Sequence, residues 1–370
     1  MVLNFIYVYF MQIVINAGGT GTRLWPISTK NAPKQFVELF DNQTLLSKTY
    51  NRLRQSFDPE QIWVTVNQSH YNTARQILPG EFADSHILTE PEKRDTFAAV
   101  VAHSAVVSHF AGVDEPIIFL NSDHLILPEE IATQKQNQAL KIINHSLLHN
   151  EFDIVVIGIQ PTFPATQYGY IQIKPEDKDQ YLTKVVPVLS FKEKPNQETA
   201  EEFLRKGNYL WNFGSFSFCF SKLETILARL YPEILPAVKN IHSAGQIDLE
   251  NFRQLPKIAF DYAVLEKTDN LGVVGIDFEV WEDIGTWEIL AQYLPDLDQF
   301  QNHKQFAGSG NKVKTIYPHK KIAFVGVSNL LFVETEEGIL IADPKYTNEI
   351  RKVTEWSEQL TDSFNQNSTN

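Results

Sequence analysis

The sequence is poor in cysteine, with one in 370 residues. A single cysteine excludes an intrachain disulfide, so a small fold held by disulfides is not expected. Cys219 lies in the run Phe-Ser-Phe-Cys-Phe at 216–220, where we predict a buried thiol that behaves as a small hydrophobic group. A reducing compartment suits such a chain, and we predict a cytoplasmic location.

The sequence also lacks an excess of positive charge and a long apolar run. Its 32 Lys and Arg residues face 45 Asp and Glu residues, which gives a formal net charge of −13. We therefore expect no nucleic-acid partner and no anionic membrane surface, although local cations and a divalent metal can still neutralise a nucleotide. No segment reaches the roughly 18 uninterrupted apolar residues that a membrane span needs.

The apolar and aromatic segment 3–10 has the composition of a signal-sequence core without its flanks. It lacks a basic region before it and a small-residue cleavage site after it. We therefore interpret residues 1–10 as an upstream extension and Met11 as the natural start.

Short apolar runs recur along the chain with helical segments between them. The clearest runs lie at 62–66, 117–120 and 154–158, and the Ala- and Val-rich segment 96–110 has the composition of a buried helix. This alternation predicts an α/β fold with a Rossmann-like, mainly parallel sheet flanked by helices. Ligands of such folds bind beyond the carboxyl ends of the strands.

The composition changes at 296–312, where a polar stretch with glycine and glutamine predicts a linker. Three strand-like runs follow at 322–325, 330–333 and 338–341, and a helical segment follows from 347 to 360. A small β-rich C-terminal appendage is therefore predicted.

These patterns divide the chain into two predicted domains. The α/β domain covers residues 11–295, and the β-rich domain covers 312–360. The last segment, 361–370, is polar, and we predict that it is disordered.

A glycine-rich stretch follows the first strand-like run at 12–15. Residues 16–26 read Asn-Ala-Gly-Gly-Thr-Gly-Thr-Arg-Leu-Trp-Pro, and Pro-Lys-Gln-Phe follows at 33–36. Glycines after a strand let backbone N–H groups approach an anion closely, and Arg23 and Lys34 add fixed positive charge. This pattern predicts a triphosphate site, while a plain tight turn is the alternative for the glycines alone.

Two common phosphate loops are excluded by spacing. A Walker A loop needs a glycine, four residues and then Gly-Lys-Ser/Thr, and no such run follows Gly18. A dinucleotide fingerprint that began at Gly19 and Gly21 would need a third glycine where the chain has Leu24.

The longer string resembles the signature of the sugar-1-phosphate nucleotidylyltransferases, and within them the mannose-1-phosphate guanylyltransferases. The resemblance covers residues 17–28 and 33–36, where Trp-Pro and Gln-Phe separate this branch from the glucose-1-phosphate enzymes. It implies the nucleotide-diphospho-sugar transferase type of fold, with the nucleotidylyltransferase domain over 11–295. The nucleotide-binding residues that it implies are Ala17, Gly18, Gly19, Gly21, Thr22, Arg23, Lys34, Arg94 and Asp95.

Nucleotidyl transfer joins two anions and builds charge on the leaving pyrophosphate, so Mg²⁺ and fixed cations are the expected aids. Asp123 lies in Asn-Ser-Asp-His after an apolar run, and Asp283 lies in Trp-Glu-Asp-Ile-Gly-Thr-Trp. The resemblance implies that both bind Mg²⁺, and it implies catalytic roles for Arg23, Lys34 and Lys194. An aspartate after a strand is otherwise a helix cap or a turn former.

The resemblance also implies a subsite for the sugar phosphate. Phe-Lys-Glu-Lys-Pro at 191–195 matches a family motif that places a lysine on the phosphate and a glutamate on the sugar hydroxyls. The alternative interpretation of this motif is a solvated Lys/Glu face. The alternative interpretation of Gly169, which the resemblance places near the sugar, is a hairpin turn. The substrate-binding residues that the resemblance implies are Gly169, Glu193, Lys194, Asn212 and Asp261.

Two places depart from the family pattern. Asp95 and Phe97 stand where the family usually has Asn and Ala, and Gln167 stands where it has Gly. An aspartate can accept hydrogen bonds from the N1–H and the 2-amino group of guanine, so Asp95 is compatible with GTP. The family's base specificity is nevertheless not carried over directly.

The function implied by the resemblance is a magnesium-dependent mannose-1-phosphate guanylyltransferase. Its substrates would be GTP and mannose 1-phosphate, its products GDP-mannose and pyrophosphate, and the C-terminal region could form a homodimer. The alternatives are the same reaction with another sugar 1-phosphate or triphosphate, and a non-catalytic regulatory subunit that binds a nucleotide sugar.

Overall fold

A computed structural model describes residues 11–19, 21–40, 42–294, 302–317 and 319–367. The predicted extension 1–10, residues 296–301 of the predicted linker and residues 368–370 of the last segment lie outside these ranges. The strands are β1 (Gln12–Asn16), β2 (Glu38–Phe40), β3 (Gln43–Thr44), β4 (Ile62–Asn67), β5 (Ile87–Glu90), β6 (Pro116–Asn121), β7 (His124–Leu127), β8 (Ile154–Ile159), β9 (Tyr170–Ile173), β10 (Val186–Lys192), β11 (Tyr209–Asn212), β12 (Phe216–Cys219), β13 (Leu271–Ile276), β14 (Val280–Asp283), β15 (His303–Phe306), β16 (Lys312–Thr315), β17 (Ile322–Val325), β18 (Leu331–Glu334) and β19 (Ile339–Ala342). The α-helices are α1 (Leu45–Leu53), α2 (Tyr71–Ile77), α3 (Asp95–Ala111), α4 (Glu129–Leu148), α5 (Gln197–Lys206), α6 (Phe220–Leu230), α7 (Leu235–Ala244), α8 (Leu249–Gln254), α9 (Phe260–Ala263), α10 (Trp287–Leu290) and α11 (Ile350–Asn367).

The described residues form two compact units, each built from separate stretches of chain. The first, which we call the sheet unit, contains residues 11–18, 49–122 and 126–280. The second, which we call the loop unit, contains 19–48, 123–125 and the described part of 281–367. The predicted domain boundaries at 295 and 312 therefore stay a prediction.

The sheet unit is built on a ten-stranded sheet in the order β11-β9-β10-β13-β8-β12-β6-β1-β4-β5. The strands β5, β4, β1, β6, β8, β13 and β9 run in one direction, while β12, β10 and β11 run in the other. The central strands are buried along nearly their whole length, as expected where helices cover both faces.

The predicted elements of the α/β fold are present. The apolar runs 62–66, 117–120 and 154–158 form β4, β6 and β8, and the segment 96–110 forms α3. Helix α3 is buried over most of its length because it is rich in small and branched apolar residues and packs against α7 and α9. The predicted α/β fold class is confirmed, with three antiparallel strands added to the parallel set.

Cys219 ends β12 and is buried, as the apolar run around it predicts. Its thiol is free, and burial raises its pKa to about 11. A thiol protonated at neutral pH is a poor nucleophile, so Cys219 contributes packing rather than chemistry. Among the described residues, no helix has the length and apolarity that a membrane crossing requires.

The loop unit consists of small sheets and one long helix. Strand β15 pairs with β17, β16 and β19 flank β18, and β2 pairs with β3. The predicted C-terminal runs form β17, β18 and β19, which confirms the β-rich appendage.

Two expectations for the C-terminal region need correction. Strand β15 and the first residue of β16 lie inside the segment 296–312 that its polar composition predicts to be a linker. Parallel pairing with β17 supplies the backbone hydrogen bonds that composition does not reveal. Helix α11 also continues to Asn367, into the segment predicted to be disordered, because no Gly or Pro follows Pro344 to end it.

Candidate active site

The signature stretch begins at the carboxyl end of β1, where two asparagines are neighbours in the sheet. Asn16 on β1 lies opposite Asn121 on β6, and its Nδ2 donates to Asn121 Oδ1 at 3.2 Å. Its own Oδ1 accepts from the backbone N–H of Gly18 at 3.2 Å, and its carbonyl accepts from Ser122 Oγ at 3.0 Å. The polar strand ends thus fix the path of the chain as it leaves the sheet.

Gly18 leaves room beside the half-buried carboxyl group of Glu90. A methyl group at Gly18 would lie 3.2 Å from Asn16 Oδ1 and 3.7 Å from Glu90 Oε1. Burial raises the pKa of Glu90 to about 7, and the nearby Lys93 charge only partly opposes this. Glu90 ends β5, so this edge of the sheet presents a carboxyl group that sequence reasoning did not single out.

The predicted base-side residues Arg94 and Asp95 begin helix α3. Arg94 Nε donates to the Leu255 carbonyl at 3.0 Å, and its Nη1 donates to Glu92 Oε1 at 3.0 Å. Asp95 has a φ of 67°, in the left-handed region that Asn and Asp enter more readily than other non-glycine residues. This backbone conformation explains why an Asp can replace the family's Asn there.

In the loop unit, the signature continues as a tight turn over Thr22–Leu24. Gly21 precedes this turn with a φ of 57°, and a Cβ there would lie 2.8 Å from Ser28 Oγ and 3.0 Å from the Lys34 backbone N. Only glycine fits this position without displacing its neighbours. Gly19 has a φ of 91°, and its carbonyl accepts from Gln35 Nε2 at 3.2 Å.

Lys34 joins the two aspartates that the sequence predicts as metal ligands. Its Nζ lies 2.9 Å from Asp123 Oδ2 and 3.1 Å from Asp283 Oδ1, and it donates to the Ile284 carbonyl at 2.8 Å. The residues are distant in sequence, but the loop unit brings them together. We call Lys34, Asp123, Asp283 and the Ile284 carbonyl the carboxylate–lysine cluster.

The charges in this cluster stabilise one another. Burial by itself would raise the pKa of Asp123, but the charges of Lys34 and His124 outweigh it and lower that pKa. Burial would likewise lower the pKa of Lys34, but Asp123 and Asp283 outweigh it and raise that pKa. Asp123 is therefore held as an anion beside the Lys34 ammonium.

Arg23 lies in the same signature stretch as Lys34, but its side chain is exposed whereas that of Lys34 is buried. The Arg23 side chain makes no hydrogen bond or ion pair with any residue that the structure describes. A guanidinium in water retains its five donors for an anionic ligand. Arg23 is therefore available to bind phosphate, whereas Lys34 is engaged.

In the sheet unit, the residues predicted to bind the sugar phosphate lie together. Lys194 Nζ donates to Glu193 Oε1 at 2.5 Å, and Asn212 Nδ2 donates to Asp261 Oδ1 at 3.0 Å. The Asn212 backbone N–H donates to the Gly169 carbonyl at 2.8 Å. We call Gly169, Glu193, Lys194, Asn212 and Asp261 the acid–amide cluster.

Gly169 allows these side chains to converge. A Cβ there would lie 2.5 Å from Glu193 Oε2 and 3.3 Å from Asn212 Cβ, so any other residue would displace the carboxylate. This close approach requires glycine at this position, and the role of Gly169 in sugar binding stays a prediction. The glycine leaves room for the carboxylate, which polar groups surround.

Asp261 has the most strongly perturbed carboxyl group of this cluster. Burial and then the charge of Glu193 raise its pKa to about 7, while Lys194 and Asn212 oppose the shift. Burial alone would lower the pKa of Lys194, but Glu193 outweighs it and raises that pKa. The cluster thus contains the Lys194 ammonium and, in Asp261, a carboxyl group that can donate a hydrogen bond when it is protonated.

These clusters can be compared with known proteins. A family model described as nucleotidyl transferase matches residues 12–299. The chain belongs to the nucleotidyl transferase family. It is 32% identical over 356 residues to a mannose-1-phosphate guanylyltransferase of Klebsiella pneumoniae, a match that covers 94% of this chain and 74% of that protein. It is 36% identical over 283 residues to one of Sinorhizobium fredii, covering 74% and 53%.

Solved structures share the fold of this chain. A Thermus thermophilus protein described as a mannose-1-phosphate geranyltransferase has a TM-score of 0.78 and 29% identity, and the match covers 94% of this chain and 99% of that one. A Helicobacter pylori protein described as a mannose-6-phosphate isomerase shares the fold, with a TM-score of 0.57 at 21% identity. The predicted family and the predicted enzyme class, a nucleotidyltransferase, are confirmed.

Proposed function

We propose that this nucleotidyltransferase forms GDP-mannose and pyrophosphate from GTP and mannose 1-phosphate. The observation that carries the proposal is the acid–amide cluster, because five residues expected to bind the sugar phosphate meet in one place. Relatives named mannose-1-phosphate guanylyltransferases match 94% of the chain, which supports this choice of substrates.

The reaction needs little covalent chemistry from the protein. An oxygen of mannose 1-phosphate forms a bond to the α-phosphorus of GTP, the bond from that phosphorus to the bridging oxygen breaks, and pyrophosphate leaves. The attacking phosphate is already ionised at neutral pH, so no general base is required. Arg23 and Lys34 would offset the charge of the triphosphate, and Lys194 would offset the charge of the sugar phosphate.

The residues of the carboxylate–lysine cluster fit a magnesium ion. Asp123 and Asp283 present hard carboxylate oxygens within 3.1 Å of one point, the Lys34 Nζ. No group of three or more His, Cys, Asp or Glu side chains among the described residues could hold a metal. A two-carboxylate site matches Mg²⁺, which takes its other ligands from phosphate and water and would neutralise phosphate charge.

We also propose a cytoplasmic location and a homodimer. The free thiol of Cys219 is compatible with a reducing cytoplasm, where the substrates would be met. A homodimer through the C-terminal region is supported by exposed apolar side chains on β19 and α11, among them Ile341 and Trp356.

Product analysis tests the proposed reaction. The protein is incubated with GTP, mannose 1-phosphate and Mg²⁺, and GDP-mannose is measured by anion-exchange chromatography. We expect Asp123→Asn to lower turnover at least about a hundredfold, because a ligand and a charge are lost. Asp343→Asn is the matched control: its Oδ1 only accepts from the Lys345 N–H, which an asparagine oxygen can also do. A folded wild-type protein that binds GDP-mannose but forms none would favour the regulatory-subunit alternative.

A further inference from the structure

The Lys34 ammonium lies between Asp123 and Asp283, the two residues that would bind Mg²⁺. The ammonium has three N–H donors, and three acceptors surround it: Asp123 Oδ2, Asp283 Oδ1 and the Ile284 carbonyl, at 2.8–3.1 Å. The Lys34 side chain is only 11% exposed, whereas those of Asp123 and Asp283 are 28% and 44% exposed. The lysine is therefore on the protein side of the cluster, and the carboxylates face outward.

We infer that Lys34 is an internal counter-ion, which holds Asp123 and Asp283 together when no metal is bound. When a triphosphate binds, Lys34 releases the two aspartates, and they become free to bind Mg²⁺. This inference rests on the proposed magnesium site. It assigns Lys34 a second task besides binding phosphate: it keeps free Mg²⁺ from settling on the aspartates in the absence of nucleotide.

Charge balance supports this role. Two carboxylates close to one another repel unless a cation lies between them, and the Lys34 ammonium supplies that cation. A Mg²⁺ ion that bound beside an ammonium still in place would be repelled by it and would share ligands already hydrogen-bonded. A phosphate group changes this balance, because it offers the ammonium a new anionic partner and offers the metal new oxygen ligands.

The predicted consequence is coupling between nucleotide and metal. Removing the ammonium should leave two carboxylates that bind Mg²⁺ without nucleotide. Because coupling between sites typically changes affinity by about 5–150-fold, we expect Lys34→Met to bind Mg²⁺ at least about tenfold more tightly than the wild type.

Calorimetric titration with Mg²⁺ alone, in the absence of nucleotide, measures this affinity directly. Lys34→Met is compared with wild type and with Lys345→Met, an exposed lysine of the same unit outside the cluster. Lys34→Gln is measured as well, because it keeps a donor for the Ile284 carbonyl if the methionine variant does not fold. The double variant Lys34→Met/Asp123→Asn should lose the added affinity for Mg²⁺. That loss would show that the added Mg²⁺ binds at the carboxylate–lysine cluster.

A second readout is thermal stability. Mg²⁺ should raise the melting temperature of the Lys34 variants by several degrees more than that of the wild type, since it replaces the lost cation. If folded Lys34→Gln and Lys34→Met bind Mg²⁺ no more tightly than wild type, the inference is overturned. Wild-type protein that still forms GDP-mannose in that case leaves the proposed function intact, while absence of the product would count against the function instead.

Discussion

Among single side chains, Asp261 links the chemistry of the acid–amide cluster to the stability of the sheet unit. Its pKa of about 7 in the folded protein lies above the ordinary value of 3.8 because of burial and the Glu193 charge. Between these two values the folded chain holds a proton that the unfolded chain has released. The stability contributed by this group is therefore full below about pH 4 and is lost as the pH rises to about 7.

Asp261→Asn removes this titration while retaining the shape of the side chain. We expect the variant to be more stable than wild type at pH 8, by on the order of 1–3 kcal/mol, and no more stable near pH 4. Thermal unfolding at both pH values checks this. An equal change at the two values would show that Asp261 does not titrate as described.

Lys194 is expected to act on the sugar phosphate and not on the nucleotide. Its side chain is 60% exposed and hydrogen-bonded to Glu193 alone among the described residues, so it can reach an anionic ligand. We expect Lys194→Ala to raise the KM for mannose 1-phosphate about tenfold or more, with a much smaller effect on the KM for GTP. Lys192→Ala, an exposed lysine two residues earlier, is the matched control. Equal increases in both KM values would refute a role specific to the sugar phosphate.

The sequence could predict which side chains of the acid–amide cluster lie together, but not all of the partners of the predicted site residues. Gly169 and Asn212 come from separate motifs, and the structure places them beside Glu193 as the resemblance implies. The position of Lys34 between Asp123 and Asp283 could not be predicted, because it depends on how segments far apart in the chain fold together. Glu90 was missed for the same reason, since its burial arises only when β5 joins the sheet.

At the scale of elements, the C-terminal segments support the signature stretch. Trp287, which begins α10, is fully buried, and its Nε1 donates to the Trp25 carbonyl at 2.9 Å. Thr335, after β18, donates from its hydroxyl to the Pro26 carbonyl at 3.2 Å. The family's Trp-Pro pair is therefore held by residues more than 250 positions later. The Trp25 and Pro26 carbonyls therefore anchor the signature stretch to the C-terminal segments.

Trp287→Phe tests this support. The change removes the indole N–H and leaves the Trp25 carbonyl without that donor, which we expect to cost about 1–3 kcal/mol of stability. Trp356→Phe is the matched control, because Trp356 is 56% exposed and should change stability by no more than about 0.5 kcal/mol. Chemical denaturation measures both, and similar losses in the two variants would contradict the anchoring role.

The sequence predicted elements better than their arrangement. Apolar runs placed β4, β6 and β8 because periodicity and composition act locally. The reversed direction of β10, β11 and β12 could not be predicted, since strand direction depends on pairing between distant segments.

At the scale of the whole molecule, the loop unit exposes an apolar strand. Ile339 and Ile341 on β19 are 55% and 63% exposed, and β19 lies at the edge of its sheet. Exposed apolar edges of this kind are typical of contact surfaces between chains. We expect a dimer in light scattering after size exclusion, and we expect Ile341→Lys to be monomeric.

Ile131→Lys is the control for this prediction, because Ile131 is 43% exposed on α4 in the sheet unit. It should stay dimeric. A monomeric wild type, or a dimeric Ile341→Lys variant, would show that β19 is not the contact surface.

Under the proposed function, this chain transfers GMP to mannose 1-phosphate. The most direct test measures pyrophosphate release with each triphosphate against mannose 1-phosphate and glucose 1-phosphate, with and without Mg²⁺. We expect release chiefly with GTP, mannose 1-phosphate and Mg²⁺ together, with kcat/KM at least about tenfold above every other pair. Faster release with another pair would contradict the proposed substrates, and release that is unaffected by Mg²⁺ removal would contradict the proposed metal site.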